Sequence, residues 1–226
     1  MSNKILIFGN GEIASLAFDL FKTYTHYDIS AFIIDNKKDI HSFKNKPVID
    51  LGDIKKFSPK EYKLFIAISY QKLNLTRQEK YDYFESLGYN FVSFVHPNNN
   101  IAPNVEFGKN VFILENQTIQ HDVKIGNNVM LWSSNHIGHG SQIKDHTYIS
   151  SHVVISGHTV IGERCFFGVN SAVADFCKIG KNCFIGMGSN ISKNIENDFV
   201  TINSSTEYYD KENKINKLIK KNYFKI

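Results

Sequence analysis

The chain has 226 residues, which is enough for one large domain or two small ones. Its formal net charge of +4 is too small to indicate a nucleic-acid-binding protein. No apolar run approaches the ~18 residues of a membrane-spanning helix, and the N-terminus leads into a predicted strand rather than a signal peptide. We therefore expect a cytoplasmic protein with neither a nucleic acid nor a membrane as partner.

Residues 1–94 lack a short repeat and predict a small Rossmann-like βαβ domain. Buried strands there alternate with segments whose apolar residues recur at helical spacing. The predicted elements, in chain order, are a strand at Lys4–Phe8, a helix at Ile13–Tyr24, strands at Ile29–Ile34 and Leu64–Ile68, a helix at about Leu75–Leu87 and a strand at Asn90–Phe94.

A glycine-rich turn, GNGEIA from Gly9 to Ala14, joins the first strand to the first helix. It fits G-x-G-x-x-A, and the acidic Asp35 follows the next strand. Glycine at such a turn lets the backbone approach a phosphate at a helix N-terminus. We predict nucleotide binding here, with Asp35 on the base or ribose. The alternative is a structural glycine turn followed by a solvated strand end.

A six-residue apolar repeat runs without interruption from Val95 to Ile191. Three hexads, or 18 residues, complete one triangular coil, and coils stack at about the 4.8 Å spacing of parallel strands. The repeat predicts a left-handed parallel β-helix over residues 95–200. Every sixth residue is apolar: Val95, Ile101, Phe107, Ile113, Ile119, Ile125, Leu131, Ile137, Ile143, Ile149, Ile155, Ile161, Phe167, Val173, Ile179, Ile185 and Ile191.

A second, smaller inward position follows four residues after each repeat residue. Gln117 and Asn135 are its polar exceptions. All three cysteines fall on it, at Cys165, Cys177 and Cys183, and we interpret them as small core residues of a protein in a reducing compartment. Glycine often comes directly after the repeat residue, and we attribute it to a tight corner.

Residues 201–226 are predicted to form a capping tail. Ile215, Leu218 and Ile219 are spaced as in a short amphipathic helix, which would close the last coil. The tail is rich in lysine, so a membrane-binding segment is the alternative.

A βαβ domain leading directly into an uninterrupted hexapeptide prism resembles the NeuD/PglD-like family of sugar N- and O-acetyltransferases. The sharpest stretches are LWSSNHIGHG at Leu131–Gly140 and ISSHVVISG at Ile149–Gly157. The resemblance implies that acetyl-CoA lies along the prism between subunits of a homotrimer. It also implies that the small domain holds a nucleotide-linked sugar rather than a nicotinamide cofactor, through Gly9, Asn10, Gly11, Glu12, Asp35 and Ser69.

The resemblance places the general base at His139. Its side chain is expected to face outward at a corner, where a neutral imidazole can take a proton from an amine. Gly157 lies one coil later, and the resemblance makes its N–H the donor to the thioester oxyanion. The residue after the base is often acidic in the family, but here it is Gly140. Asp145, Asp122 or a backbone carbonyl could orient the imidazole instead.

Several other residues are candidates in the same coils. His136 and Asn135 precede the catalytic hexad and are expected to contact the sugar. His121 lies one coil before His139 and is expected directly beneath it. Further histidines, at His146, His152 and His158, suggest a clustered site, and Trp132 is expected to be exposed as a contact surface.

The resemblance, together with these residues, implies an acetyl-CoA-dependent N-acetyltransferase without a metal. The substrate that the resemblance implies is a nucleotide-linked 4-amino-4,6-dideoxyhexose for bacterial surface glycans such as the O-antigen of lipopolysaccharide. O-acetylation of a sialic acid is the alternative. A zinc site of the carbonic anhydrase type, made from His121, His136 and His139, is a weaker alternative. A nicotinamide-dependent oxidoreductase and a non-catalytic scaffold are weaker still.

Overall fold

The N-terminal apolar strands pair into one five-stranded sheet in the computed structural model, which describes residues 3–203, 210, 212–219 and 221. The strand order is β3-β4-β2-β1-β5, and all neighbours are parallel except β3 and β4. The strands β1 to β5 span Lys4–Phe8, Asp28–Ile34, Ser42–Phe43, Lys46–Asp50 and Lys63–Ile66. The helices α1 and α2 span Glu12–Tyr24 and Leu75–Ser86, and a 3₁₀ helix spans Leu51–Lys56.

The two helices lie against this sheet by different means. Helix α1 buries an apolar stripe that includes Ala17 and Phe21, as its spacing predicts. Helix α2 is polar overall and buries Arg77, Tyr81 and Phe84. It is therefore held by a few large side chains rather than by a continuous apolar stripe.

Part of this sheet differs from the sequence-based prediction. No strand was predicted at β4, where proline and aspartate break the apolar pattern of KPVID. The predicted strand Asn90–Phe94 forms only a bridge from Phe91 to Leu64. Its end, Phe94, pairs with the prism instead of with the N-terminal sheet.

The second part of the chain is a β-helix, as predicted. Its strands β6–β23 are short and pair in parallel with a register of one coil, as in Ile137 with Ile155. In order they are Phe94–Val95, Asn100–Ile101, Glu106–Phe107, Phe112–Ile113, Thr118–Ile119, Lys124–Ile125, Met130–Leu131, His136–Ile137, Gln142–Ile143, Tyr148–Ile149, Val154–Ile155, Val160–Ile161, Phe166–Phe167, Ala172–Val173, Lys178–Ile179, Phe184–Ile185, Asn190–Ile191 and Val200–Thr201.

Three sheets form the faces of this prism. Face 1 contains β6, β9, β12, β15, β18, β21 and β23; face 2 contains β7, β10, β13, β16, β19 and β22; face 3 contains β8, β11, β14, β17 and β20. We name each corner by the faces that it joins. The chain passes from face 1 to face 2 to face 3 and back to face 1 in each coil.

The repeat residues from Ile113 to Ile191 are buried and form one core with the smaller residues of the second inward position. The first coil departs from this prediction. Val95 and Ile101 are half-buried, and Phe107 is 37% exposed, because no coil lies beneath them.

The glycines after the repeat residues are needed because neighbouring coils stack too closely for a β-carbon, and not because of an unusual backbone angle. A β-carbon on Gly138 would lie 2.5 Å from the backbone nitrogen of Gly157 in the next coil. The left-handed backbone occurs two residues later, at Asn110, Asn116, Asp122, Asn128, Ser134, Gly140, His146, His152, His158, Arg164, Asn170, Phe176, Asn182 and Gly188. Several of these are asparagine, which tolerates that conformation better than most residues.

A polar ladder on corner 3–1 joins the N-terminal domain to the prism. The side chains of Asn110, Asn128 and His146 are stacked one coil apart and hydrogen-bonded in sequence, at 2.8 Å and 3.0 Å. Asn110 Oδ1 also accepts the N–H of Ile66 in β5, at 2.8 Å. This ladder fixes the edge of the N-terminal sheet against the prism.

A buried arginine from α2 completes the same junction. Arg77 is 1% exposed and donates to the carbonyl oxygens of His146 and Thr147 and to the side-chain oxygen of Asn74. Its guanidinium lies 5.9 Å from the ring centroid of Tyr148. Burial lowers the pKa of Arg77 to about 10, so the group remains charged at neutral pH.

The C-terminal tail contains the predicted short helix, α3, at Lys214–Ile219. Its residues Ile215 and Leu218 are 42% and 57% exposed, so the described part of the tail does not show the predicted capping of the last coil. The remainder of that prediction, including residues 204–209, lies outside the described residues. Across the part of the chain that the structure describes, no helix combines the length and apolarity needed to cross a bilayer.

We expect Ile155→Asp to unfold the prism, because the carboxylate would be buried without a partner at a cost of several kcal/mol. Ile155 is fully buried, whereas its neighbour Val154 is 42% exposed and points outward. Val154→Asp is therefore the matched control. Circular dichroism melting should show a folded Val154→Asp protein, and a folded Ile155→Asp protein would contradict the assigned phase.

We expect the free energy of unfolding to decrease in mild acid because of the buried His146. Burial lowers the pKa of His146 to about 4 from its ordinary 6.5, so the unfolded chain takes up this proton first. Stability should decrease as the pH falls from about 6.5 to about 4, by up to ~3 kcal/mol, and should then level off for this group.

Urea unfolding of wild type and His146→Gln at several pH values measures this contribution as a difference. The variant should show a shallower slope than the wild type between pH 6.5 and 4, because the His146 contribution is gone while carboxylates with lowered pKa values, such as Asp50 and Glu115, still contribute. His152→Gln, which alters an exposed histidine, should keep that slope. Identical slopes for His146→Gln and wild type would contradict the assignment.

Candidate functional site

A cavity of about 780 Å³ opens at the carboxyl ends of the parallel strands, between the N-terminal domain and face 1 of the prism. Ligands of parallel α/β sheets bind at this edge. The six residues expected to contact the nucleotide-linked sugar all line it: Gly9, Asn10, Gly11, Glu12, Asp35 and Ser69. Folding thus brings together residues that lie far apart in the sequence.

The glycine turn forms the floor of this cavity. Gly9 has φ of +120°, and a β-carbon there would lie 2.7 Å from the carbonyl oxygen of Ala67, so only glycine fits. Gly11 precedes α1 and has open space where a side chain would stand. Because glycine has no side chain to cap the helix, the N-terminus of α1 is left without a side-chain cap where it lines the cavity, an arrangement that suits an anion.

Asp35 has a partner that the sequence analysis did not identify. Lys80 of α2 forms an ion pair with its carboxylate and lies 5.2 Å from the ring centroid of Phe8. Lys80 is far from Asp35 in the sequence, so no local pattern could have indicated the pair. The pair compensates the negative charge of Asp35 at the rim of the cavity.

Aromatic side chains form the prism side of the cavity. Trp132 is half-buried rather than exposed as predicted, because it packs against the N-terminal domain. Tyr70, Trp132 and Tyr148 line this cavity and also an adjoining hollow of about 410 Å³. Burial raises the pKa of Tyr148 to about 12, so its phenol is a neutral donor at physiological pH.

His139 lies exposed on corner 2–3, as its position two places after Ile137 predicts. The side-chain oxygen of Gln120, one coil below, accepts the backbone N–H of His139 at 2.9 Å. The same oxygen lies 3.1 Å from Nδ1 of His139. The partner of the imidazole is therefore a glutamine amide, and not a carboxylate or a backbone carbonyl.

Gly157 packs directly above the imidazole. A β-carbon on Gly157 would lie 2.8 Å from Cε1 and 3.1 Å from Nε2 of His139. Its N–H, however, donates to Oδ1 of Asp175 in the next coil, at 2.9 Å. The expected oxyanion donor is thus already bonded in this structure, because side chains at that corner bond the backbone of the coil below.

A second histidine lies beside the first. The rings of His139 and His158 are nearly perpendicular, with centroids 4.8 Å apart, and His158 stacks on the exposed Phe176. A β-carbon on Gly140 would lie 2.6 Å from Nδ1 of His158. His158 therefore occupies the space that a side chain at position 140 would need.

Other predicted site residues lie elsewhere. Asn135 is 2% exposed: its amide nitrogen donates to the carbonyl oxygen of Trp132, and its side-chain oxygen accepts the N–H of Val153 in the next coil, so it does not face the cavity. Asp145 lies on corner 3–1, where it accepts the N–H of Asn127. Asn135 thus occupies the second inward position that its spacing predicts, and Asp145 bonds the backbone of the coil below while Gln120 is the partner of the His139 ring.

The remaining histidines occupy separate parts of the prism. His121 shares corner 2–3 with His139, and its carbonyl accepts the N–H of Gly140. His136 lies on face 2, His146 on corner 3–1 and His152 on corner 1–2. Within the described ranges, no three His, Cys, Asp or Glu side chains converge as a metal site requires.

The cavity and His139 lie on opposite sides of one prism. The N-terminal domain packs against face 1 through Phe112, Met130 and Tyr148. Corner 2–3 is the corner opposite that face, because faces 2 and 3 separate it from face 1 on either side. The body of the prism therefore lies between a ligand in the cavity and the His139 of the same chain.

Two family models match this chain. The PglD N-terminal domain matches residues 4–84, and the bacterial transferase hexapeptide (six repeats) matches residues 122–157 and 158–193. The first match covers the sheet that carries the glycine turn, and the second covers the coils that carry His139 and Gly157. Comparison with curated proteins by sequence gives no match.

Solved structures confirm the fold over most of the chain. A perosamine N-acetyltransferase from Caulobacter crescentus, solved with CoA and GDP-perosamine, superposes with a TM-score of 0.80 at 20% identity, covering 88% of this chain and 93% of that one. The acetyltransferase domain of PglB from Neisseria gonorrhoeae gives 0.77 at 18% identity, covering 88% and 96%. As the resemblance predicted, the chain combines a PglD N-terminal domain with bacterial transferase hexapeptide repeats in the fold of these sugar acetyltransferases.

Proposed function

We propose that this protein is an acetyl-CoA-dependent N-acetyltransferase acting on a nucleotide-linked amino sugar. The observation that carries the proposal is an exposed imidazole, His139, with Nδ1 hydrogen-bonded and Nε2 available, on a prism joined to a cavity with an open helix N-terminus. Structurally similar proteins were solved with GDP-perosamine and CoA and with acetyl coenzyme A. A 4-amino-4,6-dideoxyhexose of a bacterial surface-glycan pathway is the substrate that we favour.

The reaction needs one proton acceptor and no acyl-enzyme. Nε2 of His139 takes a proton from the sugar amine as the nitrogen attacks the thioester carbonyl carbon. A C–N bond forms, the tetrahedral intermediate collapses, and the C–S bond breaks. The imidazolium then returns its proton to the departing thiolate of CoA, which leaves the histidine neutral for the next cycle.

The site is complete only when two copies meet. Because the cavity lies against face 1 and His139 lies on the opposite corner, a sugar held by one chain must reach the His139 of a neighbour. A closed ring of three prisms would give each cavity one such histidine, and we propose a homotrimer on this ground. Acetyl-CoA would lie in the groove between neighbouring prisms.

Gly157 serves this site chiefly by leaving room for the imidazole. Its N–H can stabilise the oxyanion only if Asp175 first releases it, because the two are hydrogen-bonded here. The three cysteines are free and buried, which fits the reducing cytoplasm where acetyl-CoA is available.

The proposed function is tested by thiol release from acetyl-CoA with a panel of acceptors. The panel contains UDP-, dTDP- and GDP-linked 3- and 4-amino sugars, with CMP-sialic acid and free sialic acid alongside. Thiol release with a single amino sugar would support the proposal and identify the substrate. Release only with a sialic acid would replace it by O-acetylation, and no release with any acceptor would contradict it.

His139→Asn should lower kcat by ~10²–10⁴-fold, the usual contribution of a general base, without lowering the melting temperature. The side chain is exposed, so its loss leaves no cavity in the core. His152→Asn, at an exposed position on another corner, is the matched control and should retain wild-type turnover. Wild-type turnover by folded His139→Asn would remove His139 from the mechanism.

Gly157→Ala should lower the rate with little loss of stability. Its new methyl group would displace the imidazole, which can swing into solvent because it is exposed. In a His139→Ala background, Gly157→Ala should cause no further loss of rate. Equal losses in both backgrounds would show that the glycine acts through another group, such as its own N–H.

A further inference from the structure

The hydrogen bonds of Gln120 fix the proton positions on His139. A backbone N–H can only donate, so the Gln120 atom 2.9 Å from the N–H of His139 must be the side-chain oxygen. That oxygen also lies 3.1 Å from Nδ1 of His139, which must then carry a hydrogen to bond to it. The lone pair of the neutral imidazole is therefore on Nε2.

Nε2 is the nitrogen that the proposed reaction requires. It lies 3.1 Å from the position of a β-carbon on Gly157, on the exposed side of corner 2–3. If Nδ1 held the lone pair instead, the free nitrogen would face the amide oxygen and could not accept a proton from substrate. The orientation set by Gln120 is thus a condition for catalysis.

The groups around His139 come from each neighbouring coil. Below it lie the neutral amide of Gln120 and the exposed His121 and Asp122. Beside it lies His158 of the coil above, at 4.8 Å between ring centroids. Two coils above lies Asp175, whose Oδ1 accepts the N–H of the intervening Gly157. Among these, the Gln120 oxygen makes the hydrogen bond to the ring.

We propose that Gln120 is a positioning residue for the transfer reaction: its amide oxygen fixes the Nδ1–H form of His139 and does so without adding a negative charge. This inference rests on the proposed function for its catalytic consequence. A carboxylate in the same place would hold the ring equally well but would favour the imidazolium, which cannot act as a base. Gln120 therefore permits general-base catalysis at lower pH than a carboxylate would.

Two substitutions separate orientation from charge. Gln120→Met removes the acceptor at similar volume and should lower kcat by about 10²-fold at every pH, the lower end of a general base's contribution. Gln120→Glu keeps the acceptor and adds charge. It should keep near-wild-type kcat at high pH while moving the acid limb of the kcat/KM profile up by about one pH unit.

Gln142→Glu is the matched control, because it adds the same negative charge on the exposed surface of face 3 at a residue that is not hydrogen-bonded to His139. It should leave the profile within a few tenths of a pH unit of wild type. Equal shifts in the two glutamate variants would show a general field effect and overturn the proposal. So would equal rate losses in Gln120→Met and Gln120→Glu at all pH values.

A measurement without substrate tests the same inference independently of the reaction. In ¹⁵N-histidine-labelled full-length protein, the His139 signals are identified by their loss in His139→Asn. The nitrogen shifts should show Nδ1 protonated in the neutral form, and the titration midpoint should rise in Gln120→Glu. An Nε2–H form would overturn the role of Gln120 while leaving the proposed function to the thiol-release assay.

Discussion

The one-coil register between parallel strands is the constraint on which the rest of this structure depends. Backbone hydrogen bonds hold each coil directly above the last, so a residue's neighbours in space are those one coil away. Gln120, His139, Gly157 and Asp175 are neighbours only for this reason. The positions of these residues relative to one another are therefore set by the core that holds the stack in register.

The same register determines where a corner needs glycine and where it needs a polar side chain. Glycine is needed where the next coil would contact a β-carbon too closely, as at Gly138. Side-chain oxygens are needed where a corner N–H would otherwise be unbonded, as Asp175 is for Gly157. Corner 2–3 meets both requirements and still leaves room for the imidazole of His139, with Gly157 above it and Gly140 beside it.

The junction between the domains has two parts, a hydrogen-bonded polar ladder and an apolar contact beside it. The ladder from Ile66 through Asn110 and Asn128 to His146 leaves its backbone and side-chain groups paired. Next to it, Tyr148 and Met130 bury apolar area against the N-terminal sheet. Together these contacts fix the cavity on face 1, away from the corner that carries His139.

The sequence by itself determined the β-helix, its phase and the corner position of His139, because apolar burial repeats at the fixed intervals of one hexad and one coil. It also indicated the glycine turn and the strand–helix order, which depend on local geometry. Only the tertiary structure decided that Gln120 is hydrogen-bonded to His139, that Lys80 pairs with Asp35 and that Asp175 accepts the Gly157 N–H. These depend on side-chain direction and on contacts between distant segments, which a one-dimensional repeat does not specify.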